Sequence, residues 1–204
     1  NVSPIGYHPG TERDKKPSEI VAEGPVRISL LTVSEDEQWK ARYDIYANYT
    51  TLTILEKSEE PYWILYEGTP GGTFDEDDYW VRSNGTREAM APYFMPENQW
   101  SGHLPSPKWV YFGDVDLDRV LYYVFHEDYG TQHEDVFWHF GEGGMTVFGF
   151  GRGPSRDHWK QLKVCPAHFT FGFAESNDYG KVKAQVDNAY RALRISVSKV
   201  EVSP

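Results

Sequence analysis

The stretch FHEDYGTQHEDVFWHF, residues 125–140, concentrates groups able to do chemistry: His126, His133 and His139, and two copies of His-Glu-Asp, set among aromatic residues. Histidine titrates near neutrality and serves as acid, base or metal ligand. The set His126, Asp128 and His139 offers nitrogen and oxygen donors to a divalent cation, Zn²⁺ or Ca²⁺. Its spacing, His-x6-His-x5-His, is neither HExxH nor a zinc-finger pattern. The same groups can form a catalytic or sugar-contacting sheet edge, or a plain solvated loop. The convergence of His126, Asp128 and His139 on one pocket with a tryptophan is the expectation that separates these readings.

Other candidates lie outside this stretch. Glu67 ends the apolar run PYWILYEG beside Tyr62, Trp63 and Tyr66, just before a Gly-rich turn that has no Walker lysine. A carboxylate there can act as acid, base or acceptor for sugar hydroxyls. Arg42, Tyr43, Asp44 and Tyr46 make a mixed polar face, and Arg152 follows MTVFGFG, where it can face a cleft. Asp114-x-Asp-x-Asp118 has Arg119 and Phe125 where an EF-hand requires Gly and a carboxylate, so it reads as a hairpin turn. Asp75 to Asp78 reads as a solvated acidic loop. No G-x-S-x-G occurs, and Cys165 lies beside Pro166 without a nucleophile signature.

These residues need a frame. Period-2 patterns recur in VRISLLTV, WKARYDIYANYTTLTILEK, PYWILYEG, KWVYFGD, RVLYYVFHED, GMTVFGFGR and HFTFGFAES. Asn84-Gly85 marks a tight hairpin turn, and a second hairpin turns around Asp116 to Asp118. Glycines inside the last two strands mark bulges or close backbone approach. In SNDYGKVKAQVDNAYRALR, Val182, Val186, Ala189 and Leu193 lie at helical spacing, with Ser176, Asn177 or Asp178 as cap. ISVSKVEV alternates again and reads as a last strand. The fold class is all-β: an antiparallel β-sandwich or jelly roll with one short C-terminal helix. Residues 1–23 read as an N-terminal arm and residues 24–204 as a single domain, which suits a 204-residue chain.

Composition narrows the function classes. The net charge of −11 opposes nucleic acid and anionic membrane surfaces, and weighs mildly against polyanionic glycans. No apolar run reaches the roughly 18 residues of a membrane span. Aromatic residues make up 16% of the chain, more than a core readily hides, because Trp and Tyr carry polar atoms. Asn48-Tyr-Thr and Asn84-Gly-Thr fit the glycosylation pattern and point outside the cell.

The texture of GPVRISLLTVSEDEQWKARYDIYANYTTLTILEKSEEPYWILYEGTPGG, continued to about residue 175, resembles the β-sandwich domains of secreted carbohydrate-active proteins. These are the jelly-roll and mutarotase-like modules of polysaccharide lyases, glycoside hydrolases and carbohydrate-binding modules. The resemblance implies an extracellular protein with a polysaccharide or oligosaccharide partner, an aromatic-lined face and often a structural Ca²⁺. For a lyase it implies a base and acid from His126, His133 or Tyr129, and neutralisation of a uronate by Arg42 or Arg152. Glu67 is the further catalytic candidate. Trp80, Trp138, Tyr66, Arg42, Asp128 and His139 are the expected ligand-binding face. A binding module, an enzyme and a structural cell-surface protein stay open at this point.

Overall fold

The computed structural model describes residues 2–3, 17–95, 97–127, 132–155, 157 and 159–198, with the backbone alone at 2–3 and 194–198. Among the described residues, fourteen strands and one α-helix follow in order: β1 (Val2–Ser3), β2 (Glu19–Glu23), β3 (Ile28–Val33), β4 (Lys40–Ile45), β5 (Tyr49–Glu56), β6 (Trp63–Gly68), β7 (Asp78–Arg82), β8 (Arg87–Ala89), β9 (Trp100–Gly102), β10 (Trp109–Asp114), β11 (Val120–Phe125), β12 (Asp135–His139), β13 (Thr146–Phe150), β14 (Ala167–Ala174) and α1 (Tyr179–Ser198). One sheet has the order β1-β6-β13-β12-β9 and the other β2-β3-β4-β5-β14-β11-β10-β7-β8. Neighbours run antiparallel, and the result is an all-β sandwich, as the alternation predicts.

The core fills the space between the sheets. Alternation along each strand sends Trp80, Val110, Phe112, Phe125 and Phe169 of the nine-stranded sheet to meet Ile64, Phe137, Phe148 and Phe150 of the other. Trp80 lies flat on Phe137 with ring centroids 4.7 Å apart. Full burial of each such side chain stabilises by roughly 1.5–3 kcal/mol. The opposite face of the nine-stranded sheet is also apolar at Tyr79, Val81, Trp109, Tyr111 and Tyr122, because α1 covers it with Val182 and Val186. Thus much of the aromatic excess is core, while Phe94, Phe140 and Phe173 remain exposed. The indole nitrogens of Trp80 and Trp109 and the hydroxyl of Tyr79 are buried without hydrogen-bond partners. Ring burial outweighs the roughly 1–3 kcal/mol that each unpaired group costs.

The turns follow their residues. Gly85 adopts φ 86°, and Asn84 Oδ1 accepts from Thr86 N–H at 3.0 Å, which closes the β7–β8 hairpin. Asp178 caps α1 by accepting from Lys181 N–H at 2.9 Å. Three boundaries differ from expectation. The helix has 20 residues and runs through Ser198, so the described part of ISVSKVEV is helical rather than a strand. The arm boundary at residue 23 falls at the end of β2, an edge strand of the larger sheet, and β1 pairs with β6. Val136 to His139 belong to a strand that a reading focused on polar groups passes over.

Candidate functional site

The histidines of residues 125–140 do not meet. His126 follows β11 on the helix side of the nine-stranded sheet, where its Nε2 lies 2.7 Å from Thr170 Oγ1 and its ring 4.6 Å from Tyr190. His139 ends β12 in the other sheet and is buried, stacked on Phe74 at 4.1 Å. Its Nδ1 accepts from Gly141 N–H at 2.8 Å, so its Nε2 donates to Ala91 O at 2.9 Å. Both of its ring nitrogens are thus engaged in hydrogen bonds to the backbone. His133 is buried within 3.1 Å of Lys108 Nζ. Asp128 and Tyr129 lie outside the described residues. No group of three or more metal-binding side chains occurs among the described residues. Trp80 and Tyr66 point into the core, and Tyr66 stacks on Phe112 at 4.6 Å. They cannot form a ligand-binding face. Asp78, expected in a solvated loop, is buried at the start of β7.

The register of the nine-stranded sheet assembles a different polar strip on its helix side. Across β5 and β14 the pairs are Tyr49 with Gly172, Thr51 with Thr170, and Thr53 with His168. The second pair is joined through its hydroxyls at 3.0 Å, and Thr170 also meets His126. One strand farther out, Asp44 accepts from Ser29 Oγ at 2.6 Å and from Arg42 Nε at 2.8 Å. Glu127 takes both the backbone N–H of His168, at 2.7 Å, and its Nδ1, at 2.6 Å. An ionised carboxylate only accepts, so the proton sits on Nδ1 and Nε2 faces away from Glu127. A carboxylate that fixes the tautomer and orientation of a partly exposed imidazole is the arrangement of a general base. Arg42 and His168 flank Thr53 on the same face, two strands apart, about 10 Å.

Toward Tyr49 the strip opens into a groove of about 850 Å³ between α1 and the sheet. Its floor includes Tyr122 and Gly172, and its helical wall carries Lys181, Gln185 and Asn188. Gly172 is required there: a Cβ would come within 2.6 Å of both Asn48 O and the Tyr122 hydroxyl. Tyr46 and Tyr49 stack at 4.6 Å at one rim, and exposed Phe173 lies under the Arg119 guanidinium at the other.

Glu67, Trp138 and Arg152 come together elsewhere, on the outer face of the five-stranded sheet. Val147 of β13 pairs with both Glu67 and Trp138, and Arg152 Cζ lies 4.0 Å from the Trp138 ring centroid. Sequence reasoning missed His168, the glycine floor and the helical wall. The local signal for His168 is its place, with Thr170, as one of two polar residues alternating with the apolar residues of AHFTFGF. No protein-family model matches the chain, and no curated protein matches it.

Proposed function

We propose that this chain is an extracellular carbohydrate-active β-sandwich that holds a glycan in the groove between α1 and the nine-stranded sheet. The groove itself carries the reading. Stacked tyrosines at its rim suit the apolar faces of sugar rings, and Gln185 and Asn188 on its wall suit hydroxyl groups. The net charge of −11 favours sugars over nucleic acid. Both glycosylation triplets support the extracellular setting, because Asn48 and Asn84 are exposed on hairpin turns. Retention on immobilised neutral and acidic polysaccharides tests the reading. Tyr46→Ala removes half of the stacked pair and weakens retention about tenfold, the effect of losing one stacking contact of roughly 1–1.5 kcal/mol. Unchanged retention of that variant on every glycan sinks the groove assignment.

One observation favours an enzyme as the second reading. The Glu127–His168 pair supplies a base, and Arg42 across Thr53 supplies a cation for a substrate carboxylate. Release of unsaturated uronate ends would mark a lyase, and reducing ends without unsaturation a hydrolase. On this reading His168→Ala lowers the rate by about 10²–10⁴-fold, the usual contribution of general acid–base catalysis, while glycan retention persists. The absence of both products across the panel leaves a binding module.

A further inference from the structure

The β4–β5 turn stands at the rim of the groove, with Asn48 at its tip. Tyr46 N–H donates to Tyr49 O at 2.9 Å, which leaves Ala47 and Asn48 as the loop residues. Gly172 of β14 lets this turn lie close against the sheet, since a Cβ there would come within 2.6 Å of Asn48 O. Asn48 is exposed, and it lines the groove together with Tyr46 and Thr50. Thr50, two residues on, supplies the hydroxyl that an N-glycosylation acceptor requires.

Tyr46, two residues before, supplies what that pattern alone does not. Its ring is half-buried and backed by Tyr49, stacked 4.6 Å away and 25° from parallel. Two residues span at most about 7 Å, so a sugar on Asn48 Nδ2 begins beside that ring. An aromatic face suits the apolar face of a sugar, and attachment makes the contact intramolecular, which spares most of the association entropy. Asn84-Gly-Thr is the comparison within the same chain. Arg82 stands two residues before Asn84 and is paired with Glu88 at 2.6 Å. Asn84 Oδ1 accepts from Thr86 N–H, and Asn84 does not line the groove.

We infer that Asn48 carries an N-glycan whose first sugar packs on Tyr46 and covers the mouth of the groove. The chain then regulates its own ligand site through a modification. The inference rests on the extracellular setting and the groove reading proposed above. The co-reactant is an oligosaccharide carried on a lipid pyrophosphate. A bond forms between Asn48 Nδ2 and the anomeric carbon, and the bond from that carbon to the pyrophosphate oxygen breaks. The pyrophosphate leaves with the electron pair, one amide proton goes to solvent, and nothing is oxidised or reduced.

The test expresses the chain behind a secretion leader in eukaryotic cells and, without glycans, in bacteria. Enzymatic glycan release in ¹⁸O water, followed by peptide mass mapping, reads occupancy at each asparagine. Asn84→Gln chains from the two sources then differ only in the glycan at Asn48. The expected result is occupancy at Asn48 and a secreted form that melts about 2–4 °C above the bacterial form, the size of one such contact in a chain of this length. That difference vanishes when Tyr46→Ala is added. Retention of the secreted form on immobilised glycans is about tenfold weaker than that of the bacterial form, because the stacking platform is taken. Occupancy at Asn84 alone overturns the inference and leaves the extracellular setting standing. Occupancy at neither site overturns both. A melting difference that survives Tyr46→Ala overturns the packing on Tyr46. Equal retention of the two forms overturns the covering of the groove, whereas no retention of the bacterial form overturns the groove reading itself.

Discussion

At the scale of single residues, the start of β7 carries a carboxyl that burial makes harder to ionise. Burial, reinforced by the neighbouring carboxylates of Asp75, Asp114 and Asp77, pushes Asp78 from its ordinary 3.8 up to about 7. Its Oδ2 accepts from Asp75 N–H, and its Oδ1 is buried without a partner. A raised carboxyl pKa means that the folded state holds the proton more tightly than the unfolded chain. The associated stability is complete below about 4 and is lost as pH rises through about 7. Asp78→Asn should therefore gain on the wild-type protein as pH rises. Thermal melting at pH 5 and pH 8 checks this, and a gap that stays constant or narrows refutes it. Gly149 makes a second case: Ala there forces Leu65 or Arg152 aside. The expected cost is about 1–3 kcal/mol in urea unfolding, with a shifted indole spectrum. A cost near zero would mean that Arg152 has room to move.

Among the elements, β12 is tied to the start of β10 by charge rather than by grease. Lys108 and Asp135 are fully buried with Nζ and Oδ2 3.4 Å apart. Asp135 also accepts from Gly151 N–H at 3.0 Å and Leu104 N–H at 3.4 Å. Burial raises the Asp135 pKa, and Lys108 opposes the rise. Lys108→Met leaves a carboxylate without its cation, with an expected loss of about 3–5 kcal/mol. Asp135→Asn added to Lys108→Met should recover part of that loss, because Asn keeps an acceptor for the backbone donors and carries no charge. A double-mutant cycle by chemical denaturation checks it; additive losses would mean that the two side chains are uncoupled.

For the molecule as a whole, the sheets are unequal, and part of the larger one overhangs. The row Ile20, Leu30, Tyr43 and Leu52 runs from the edge strand into the core. Ile20, Val26, Ile28 and Ile45 remain exposed near that edge. A long apolar edge invites pairing between molecules. Two features oppose it: a register shift between Ile20 and Ala22, and the net charge of −11. Salt screens charge and leaves apolar contact intact. Sedimentation should show self-association rising with salt, and Ile28→Lys combined with Ile45→Lys should suppress it. A monomer at every salt concentration would show that the overhang is inert.

The sequence by itself determined most element types, because alternation with a period of two is a local property that two-faced strands impose; ISVSKVEV, whose described part is helical, and β12 are the exceptions. It also determined the β7–β8 turn, through Asn84-Gly85, and narrowed the cap of α1 to Ser176, Asn177 or Asp178, among which the structure selects Asp178. It could not say what each strand face meets. Trp80 and Trp138 read alike in the chain, yet one fills the core and the other lies under Arg152. Nor could it bring Glu127 to His168 or His126 to Thr170, pairs 41 and 44 residues apart. Those meetings depend on β11 pairing with β14 in one register, and a slip of one residue would turn every side chain to the other face. The tertiary structure therefore separated His126 from His139, which the sequence set side by side. It built the polar strip and the indole-held arginine from residues that no local pattern connects.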